Sequence, residues 1–464
     1  MGPLKLPEKL EDDSLKALAH VEKLGRAAVI GHYDADGISS AAVVCAALKR
    51  LGVEFTARNI QVVTPDVMRS LVEPESGVVF LTDLGSSMAT MLDKLRTPDR
   101  EIVIVDHHPP DGKPAGLVQI NAHVYGIDGT FDACSGTMAY AMALAWDERN
   151  SSLFRQAIIG CIGDRQAAQP RGLNKTLIDH AVARRAVELR EEIPLGPGPL
   201  KDEIAASYDP YFRRLSTPEK AAEFLAGVGI APDGSYPHLD AAQKRLLSSL
   251  LIIELVESGA EPEAVSRALR IRYVLPDGEL GDHLARIVDA SGRMGDTGTG
   301  LAAALGSVEA RKRAEGLAST FRGRLIDLVH LLDAGTVSGL AHGLKQKSAL
   351  QWFTSEDQGL VGTVAECGLS FIGRHDRPIF GFVDAGDKIK GSARGTRRLV
   401  EAGLDLGVAC GEAAGALGGN GGGHSIASGI TLPAGKLDEF LVRADEIVAK
   451  QLRLSATATK SAKK

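Results

Sequence analysis

The segment 31–37 carries three side chains, His32, Asp34 and Asp36, that could bind a metal ion. They alternate along the chain, and alternate residues of an extended segment point to the same side. The apolar run 27–30 before them predicts a buried strand, and ligands bind at the carboxyl ends of strands in parallel sheets. The segment alone is equally compatible with another interpretation, in which the aspartates cap the next helix and His32 fills a loop.

Three more groups of acidic or histidine residues follow apolar segments in the same way. The groups and the segments before them are Asp83 after 78–81, Asp106-His107-His108 after 102–105, and Asp164 after 157–163, where the pattern does not distinguish helix from strand. An isolated Asp in such a place is usually a cap or a turn residue. Strand ends of one parallel sheet lie side by side, however, so all these groups would crowd one edge.

Carboxylates at that density require compensating cations. Ligation by imidazole and carboxylate together suits Mn²⁺ best, ahead of Mg²⁺ and Zn²⁺. The sequence therefore predicts a pair of divalent metal ions at the edge of the sheet.

The elements that must position these residues are an alternation of strands and helices in the first part of the chain, which predicts a parallel sheet. Residues 173–308 are rich in Ala, Leu, Glu and Arg at helical spacing, with breaks at two Pro-containing segments. A long helix is expected over 309–332, and strand signals return at 360–364 and 379–383.

The fold class predicted is α/β, with an N-terminal parallel-sheet domain, a helical insertion and a C-terminal α/β domain. The expected boundaries are 1–185 for the metal-binding catalytic domain, 186–330 for the insertion and connector, 331–454 for a substrate-binding domain, and 455–464 for a disordered tail.

Composition narrows the class of protein. The 464 residues are 44% hydrophobic, which is enough for two or three cores, and the net charge of −6 argues against a chain that coats nucleic acid by bulk electrostatics. Five scattered cysteines predict buried free thiols. Because no segment has the pattern of a signal peptide or a membrane span, we expect a soluble cytoplasmic protein with no membrane partner.

Together, the four groups of candidate ligands resemble in order and spacing the four motifs of the DHH phosphoesterases, whose name comes from the triplet at 106–108. The resemblance implies one metal held by His32, Asp34 and Asp83. It implies a second metal held by Asp36, Asp83, His107 and Asp164, so that Asp83 bridges the two ions. Asp106 would orient His107, and His108 would contact the scissile phosphate while a water activated by the metals attacks phosphorus.

A basic stretch, 388–398, and a glycine cluster, 418–424, lie near the C-terminus. Each is compatible with an ordinary solvated face or a flexible loop. Together they resemble the two signatures of the DHH-associated C-terminal domain, which implies that it grips substrate phosphates across a cleft from the metals. The residues that carry this likeness are Ser392, Arg394, Gly422, Gly423 and His424.

The length and the helical insertion look most like the archaeal RecJ-like nucleases, which implies a two-metal exonuclease of DNA repair or replication that digests single-stranded DNA or RNA from the 5′ end. A weaker likeness is the Gly-Arg pair at 292–293, for which a helix C-cap is the simpler account. Aromatic residues are 5% of the chain, so a long base-stacking platform is not expected. Two alternatives stay open: a small-substrate phosphatase or oligoribonuclease of the same superfamily, and a replisome scaffold docked on a GINS-type complex.

Overall fold

The computed structural model describes residues 5–338 and 343–461, and it describes only the backbone of residues 336–338 and 453–461. The chain forms two compact units, Met1–Glu192 with Arg270–Phe321 and Ile193–Leu269 with Arg322–Lys464. The segment 186–330, predicted as one helical insertion, contributes to both units. Among the described residues, no helix is long and apolar enough to cross a bilayer.

The secondary structure alternates between strands and helices in both units. The strands are β1 Arg26–His32, β2 Glu54–Ile60, β3 Gly77–Thr82, β4 Arg100–Asp106, β5 Val118–Asn121, β6 Glu188–Glu192, β7 Arg270–Val274, β8 Lys345–Gln346, β9 Gln351–Ser355, β10 Ile379–Asp384, β11 Lys388–Arg394, β12 Asn420–Gly423 and β13 Ala427–Pro433.

The helices are α1 Glu8–Leu24, α2 Ala35–Arg50, α3 Pro65–Val72, α4 Ala89–Asp93, α5 Ser135–Trp146, α6 Phe154–Gly163, α7 Gly172–Ala183, α8 Leu200–Ala205, α9 Pro218–Gly227, α10 Ala241–Glu257, α11 Pro262–Ser266, α12 Gly281–Arg293, α13 Thr297–Ala304, α14 Val308–Ser338, α15 Val361–Cys367, α16 Arg397–Glu401, α17 Leu406–Gly415 and α18 Leu437–Ser461.

The first unit contains a five-stranded sheet in the order β2-β1-β3-β4-β5, and every neighbouring pair is parallel. The central strands are continuous apolar runs because helices cover both faces of such a sheet, and β3 is buried along its whole length. The predicted parallel sheet is confirmed. The segment 157–163, which the pattern left open between helix and strand, belongs to α6.

The second unit contains a six-stranded sheet in the order β12-β13-β11-β10-β9-β8. Only β9 and β10 are parallel, and the other neighbouring pairs are antiparallel. The α/β fold class is therefore confirmed for both sheet-containing parts of the chain.

The strand expected at 360–364 is wrong, because Val361–Cys367 forms α15. Its buried residues include Val361, Val364 and Ala365, which are three and four positions apart and therefore lie on one face of a helix. In a run this short, the apolar residues alone did not distinguish the two periods.

Within the glycine cluster, for which a flexible loop was one interpretation, residues 420–423 form the edge strand β12, paired with β13. A Cβ atom at Gly421 would lie 2.3 Å from the backbone oxygen of Cys410 on α17, so glycine allows the strand and the helix to pack closely. Backbone of α18 continues through 455–461, part of the segment predicted to be disordered, and 462–464 lie outside the described residues.

Candidate metal centre

Three neighbouring strands of the parallel sheet carry the candidate ligands at their carboxyl ends. His32 ends β1, Asp83 directly follows β3, and Asp106 ends β4. The ends lie level, because Gly31 pairs with Thr82 and Thr82 pairs with Val105. The sheet order therefore brings together motifs that are far apart in the sequence.

Among the described residues, three groups of side chains have the spacing of metal ligands. One group is Asp83, Asp106, His107 and His108, and the other two correspond to the predicted ligand sets. His32, Asp34 and Asp83 make one cluster and Asp36, His107 and Asp164 another, and the ligand atoms within each cluster lie within 4.8 Å of one another. Asp83 connects them: its Oδ2 is 3.4 Å from His32 Nδ1, and its Oδ1 is 3.4 Å from His107 Nε2.

Asp34 has two roles at once. One of its oxygens accepts a hydrogen bond from the backbone N–H of Gly37 at 3.0 Å and caps α2, while the other lies 2.9 Å from His32 Nδ1. The helix-cap interpretation and the ligand interpretation are therefore compatible for this residue.

The buried carboxylate of Asp36 is held by a helix that the sequence analysis did not connect with the site. At the start of α5, the backbone N–H groups of Ser135 and Gly136 each donate to Asp36 at 2.7 Å. The Ser135 hydroxyl also donates to Asp83 at 2.9 Å. The only local signal for these contacts was a run of small residues before an Ala-rich helix.

Burial and neighbouring charge shift the carboxyl groups in opposite directions. Burial, followed by the charge of Asp83, raises the pKa of Asp36 to about 7, and burial also raises the pKa of Asp164. Burial acts in the same sense on Asp83, but hydrogen bonds from His107 and His32 outweigh it and hold its pKa well below the usual range. Asp83 is thus the stably ionised centre of the cluster.

The neighbouring carboxylates raise the pKa values of the imidazoles. Burial lowers the pKa of His32, but its hydrogen bonds to Asp34 and Asp83 outweigh this effect and raise the pKa to about 11. The pKa of His107 is raised in the same way, against burial, by Asp83 and by the charges of Asp164 and Asp36. In the absence of metal, the protons on these rings supply the positive charge that compensates the carboxylates, and bound cations would replace them.

The donor set fits divalent metal ions. Nitrogen and oxygen atoms within 4.8 Å of one another can surround a single ion at bond lengths of about 2.0–2.6 Å. Each set combines imidazole with carboxylates, and both sets share access to the ionised Asp83. This chemistry suits a divalent ion in each set.

Asp106 does not orient the His107 ring, so that interpretation is wrong. His107 Nδ1 instead lies 2.6 Å from the backbone oxygen of Gly129. Asp106 Oδ1 accepts from the backbone N–H of His107 at 2.7 Å and lies 2.8 Å from His108 Nδ1. Asp106 therefore positions the chain at the triplet and the ring of His108.

Two residues in or next to the site have left-handed backbone conformations, which residues other than glycine rarely adopt. They are Asp83, with φ of 61°, and Arg165, directly after Asp164, with φ of 59°. Such strain costs of order 1–3 kcal/mol and concentrates at functional sites. Asp83 keeps this conformation while its carboxylate faces both ligand sets.

The Gly-Arg pair at 292–293 lies against the first motif. Gly292 is inside α12 rather than at its C-cap, and a Cβ atom there would be 1.8 Å from the backbone oxygen of Tyr33. Arg293 donates to Asp289 at 2.6 Å. The charge of Asp289, mainly, raises the pKa of Arg293 against the effect of burial, and the charge of Asp34 contributes in the same direction. The pair thus places a cation beside the metal centre.

In the second unit, the two predicted phosphate-binding segments lie on the same sheet. Ser392 on β11 and Gly422 on β12 both pair with Gly429 on the intervening strand β13. They are therefore two strands apart, which is about 10 Å. Arg394 donates to the Ser392 hydroxyl at 2.7 Å, and Gly423 and His424 are exposed at the end of β12.

Comparison with protein-family models and curated proteins gives a consistent result. The model for the DHH family, N-terminal domain, matches residues 26–162, and the DHHA1 domain model matches residues 347–450. An uncharacterized protein of Methanocaldococcus jannaschii is 30% identical over 459 residues, 96% of this chain and 99% of its own. The single-stranded-DNA-specific exonuclease RecJ of Dickeya dadantii is 24% identical, covering 93% of this chain and 67% of its own.

Solved structures share the fold. RecJ of Thermus thermophilus in complex with Mn²⁺ has a TM-score of 0.60 and 18% identity, covering 96% of this chain and 55% of its own. CDC45 of Entamoeba histolytica has a TM-score of 0.64 and 12% identity, covering 95% of this chain and 99% of its own. The fold is thus shared with both RecJ and CDC45.

Proposed function

Because the chain belongs to the DHH family, we propose that it is a metal-dependent phosphodiesterase that digests single-stranded nucleic acid from the 5′ end. The observation that carries the proposal is the pair of ligand sets joined by Asp83. The named activity of the Dickeya relative, a single-stranded-DNA-specific exonuclease, supports the choice of substrate.

The metal ions, with Mn²⁺ preferred, would be held by His32, Asp34 and Asp83 in one set, and by Asp36, Asp83, His107 and Asp164 in the other. Bound divalent ions lower the pKa of a water and neutralise charge that develops on phosphate. The remaining residues then have to bind the substrate, orient it and supply a proton.

We assign His108 the role of acting on the scissile phosphate. Its side chain is 47% exposed, and Asp106 contacts Nδ1, which would leave Nε2 for the substrate. Burial lowers the pKa of His108, but the hydrogen bond to Asp106 outweighs it and raises the pKa to about 9. The protonated ring would stabilise phosphate charge or donate a proton to the leaving oxygen.

Substrate phosphates would be gripped by Arg394 with Ser392, and by the backbone of Gly422 and Gly423 with His424. A guanidinium contact to phosphate is charge-assisted and is among the stronger hydrogen bonds in proteins. The glycines leave the backbone N–H groups of the edge strand sterically accessible to an anion.

The test is hydrolysis of 5′-labelled single strands of DNA and RNA by the purified protein with Mn²⁺, with a blunt duplex as control. The expected result is labelled mononucleotide from the single strand, an intact duplex, and no reaction with a chelator. A ladder of shortened labelled products would contradict the 5′ polarity. Cleavage restricted to dinucleotides would support the small-substrate phosphatase instead.

A second candidate is a scaffold in DNA replication, which the similarity of fold to CDC45 favours. Crowded carboxylates at one sheet edge repel one another unless cations are bound, so a pure scaffold gains nothing by retaining the complete ligand set. If no single strand or dinucleotide is hydrolysed with Mn²⁺, Mg²⁺, Co²⁺ or Zn²⁺, the scaffold function is favoured. A pull-down with GINS-type subunits would then test it.

A further inference from the structure

We propose that Phe131 and Arg171 form a subsite on which one nucleobase of the substrate stacks, beside the His107 ligand. The inference rests on the proposed function, since it assigns a base contact to the same metal centre. It would be the first element of the first unit that engages a base rather than a phosphate.

Phe131 is unusual in its exposure. Its side chain is 51% exposed, and it is the only exposed Phe, Tyr or Trp among the residues that the structure describes. The guanidinium carbon of Arg171 lies 4.8 Å from the centre of its ring. Exposing an apolar ring to water is unfavourable. The pair presents both an aromatic face and a cation.

The pair is tied to the metal centre through a short segment of backbone. The oxygen of Gly129, two residues before Phe131, lies 2.6 Å from His107 Nδ1 and accepts from Gln166 Nε2 at 3.0 Å. Two residues of chain span at most about 7 Å. Phe131 is therefore within two residues of a direct contact of His107, and under the proposal a nucleotide with its phosphate at the metals would place a base on this ring.

The segment around Phe131 is held on both sides. Thr130 donates its backbone N–H to the Asp128 carboxylate at 2.7 Å, and Asp132 donates its own to the Asp128 backbone oxygen at 2.8 Å. The backbone N–H of Asn174 on α7 then donates to the oxygen of Asp132 at 2.8 Å. The ring is thus carried on an anchored turn, so stacking requires little additional ordering of the chain.

The chemistry of the pair indicates a stacking contact that accepts any nucleobase, not a contact that recognises the sequence. Every base has a π-face, so stacking on Phe131 tolerates all bases. The Arg171 guanidinium can stack on the same base or contact the adjoining phosphate. One such ring agrees with the low aromatic content, which favours a short binding track.

The experiment compares Phe131→Ala with the parent protein on a series of single-stranded oligonucleotides. One oligonucleotide is intact, and each of the others carries a tetrahydrofuran abasic residue at one of the first four positions. On the intact strand, the variant should lose about 5- to 140-fold in kcat/KM, the equivalent of one stacked base. On the strand abasic at the contacted position, parent and variant should agree within about twofold, because the parent has lost the same stack.

Two further variants separate stacking from a structural role. Phe131→Trp should retain the parent's kcat/KM, since it keeps an aromatic face. Leu51→Ala removes an apolar side chain that is 41% exposed on the same unit and should change nothing. The proposal is overturned if Phe131→Ala loses the same factor on every abasic strand, or if its Mn²⁺ content falls, because the ring then only supports the turn.

Binding of the same oligonucleotides, measured by fluorescence anisotropy without divalent metal, keeps the two proposals distinguishable. If the parent hydrolyses no strand, the proposed function fails, yet weaker binding of the intact strand alone by Phe131→Ala still supports the subsite. If hydrolysis proceeds and the variant binds and cuts like the parent, the subsite fails while the proposed function stands.

Discussion

Binding of Mn²⁺ to the metal centre should release protons, and the affinity should rise with pH. The pKa of His32 is raised to about 11, against the effect of burial, by its hydrogen bonds to Asp34 and Asp83. At pH 7 the metal-free ring therefore carries a proton that an incoming cation must displace. Because a raised pKa keeps the ring protonated up to high pH, and releasing that proton costs more free energy as pH falls, metal affinity decreases toward acid.

The magnitude follows from the number of protons displaced. Each displaced proton changes the apparent affinity about tenfold per pH unit, about 1.36 kcal/mol, wherever the metal-free group stays protonated. The His32 pKa of about 11 lies above the whole range from pH 6 to pH 8. Displacement of this one proton therefore predicts Mn²⁺ affinity about hundredfold tighter at pH 8 than at pH 6. His107 adds a second proton, and Asp36, with its pKa raised to about 7, adds one below neutrality.

The assay is isothermal titration calorimetry with Mn²⁺ at pH 7, repeated in buffers of different ionisation enthalpy, which gives the number of protons released. We expect at least about one proton for the set that contains His32. His32→Gln should release about one proton fewer and bind more weakly. His20→Gln, a change on α1, serves as the matched control and should behave as the parent does.

Two results would refute this reasoning. One is Mn²⁺ binding at pH 7 with no proton release, and the other is equal release by His32→Gln and the parent. Either would mean that the carboxylates do not hold a proton on the ring of His32 in the metal-free protein.

Three further changes have expected outcomes. Asp83→Asn should abolish hydrolysis and lower Mn²⁺ content at both sets, while Asp106→Asn should reduce activity only about 10- to 100-fold, because it acts through His108; equal losses in steady-state assays would contradict the shared ligand. Arg394→Ala should weaken polynucleotide binding by about 1.5–3 kcal/mol and reduce the salt slope by about 1, with Mn²⁺ content unchanged; loss of metal would assign it a structural role. Gly292→Ala should lower the melting temperature, since its Cβ would lie 1.8 Å from a backbone oxygen, and an unchanged calorimetric melt would show that α12 can shift at no cost.

The sequence by itself determined the sheet and the edge at which the candidate ligands meet. The apolar runs of β1, β3 and β4 are uninterrupted and indicate buried strands, and His or Asp follows each run within two residues. Strand ends of a parallel sheet share one edge, so the placement of these groups on one edge followed without knowledge of the strand order. Their proximity depends on the order β1-β3-β4. The coordination roles of the individual residues remain predictions.

Only the tertiary structure decided which partner holds each group. Asp36 accepts its hydrogen bonds from Ser135 and Gly136, far along the chain, and the ring of His107 contacts Gly129 rather than the adjacent Asp106. No periodicity in the sequence encodes such contacts. They depend on how α5 and the turn at 128–132 pack against the sheet.

The same distinction explains the local errors. Residues 361–367 mix apolar, polar and glycine residues, and 420–423 are almost all glycine, so neither composition specifies helix, strand or loop. Packing against neighbouring strands and against α17 decided both. Uninterrupted runs of β-branched and other large apolar residues carry their own preference for strand. The conformation of segments of mixed composition and the partners of side chains depend on contacts that form only when distant parts of the chain come together.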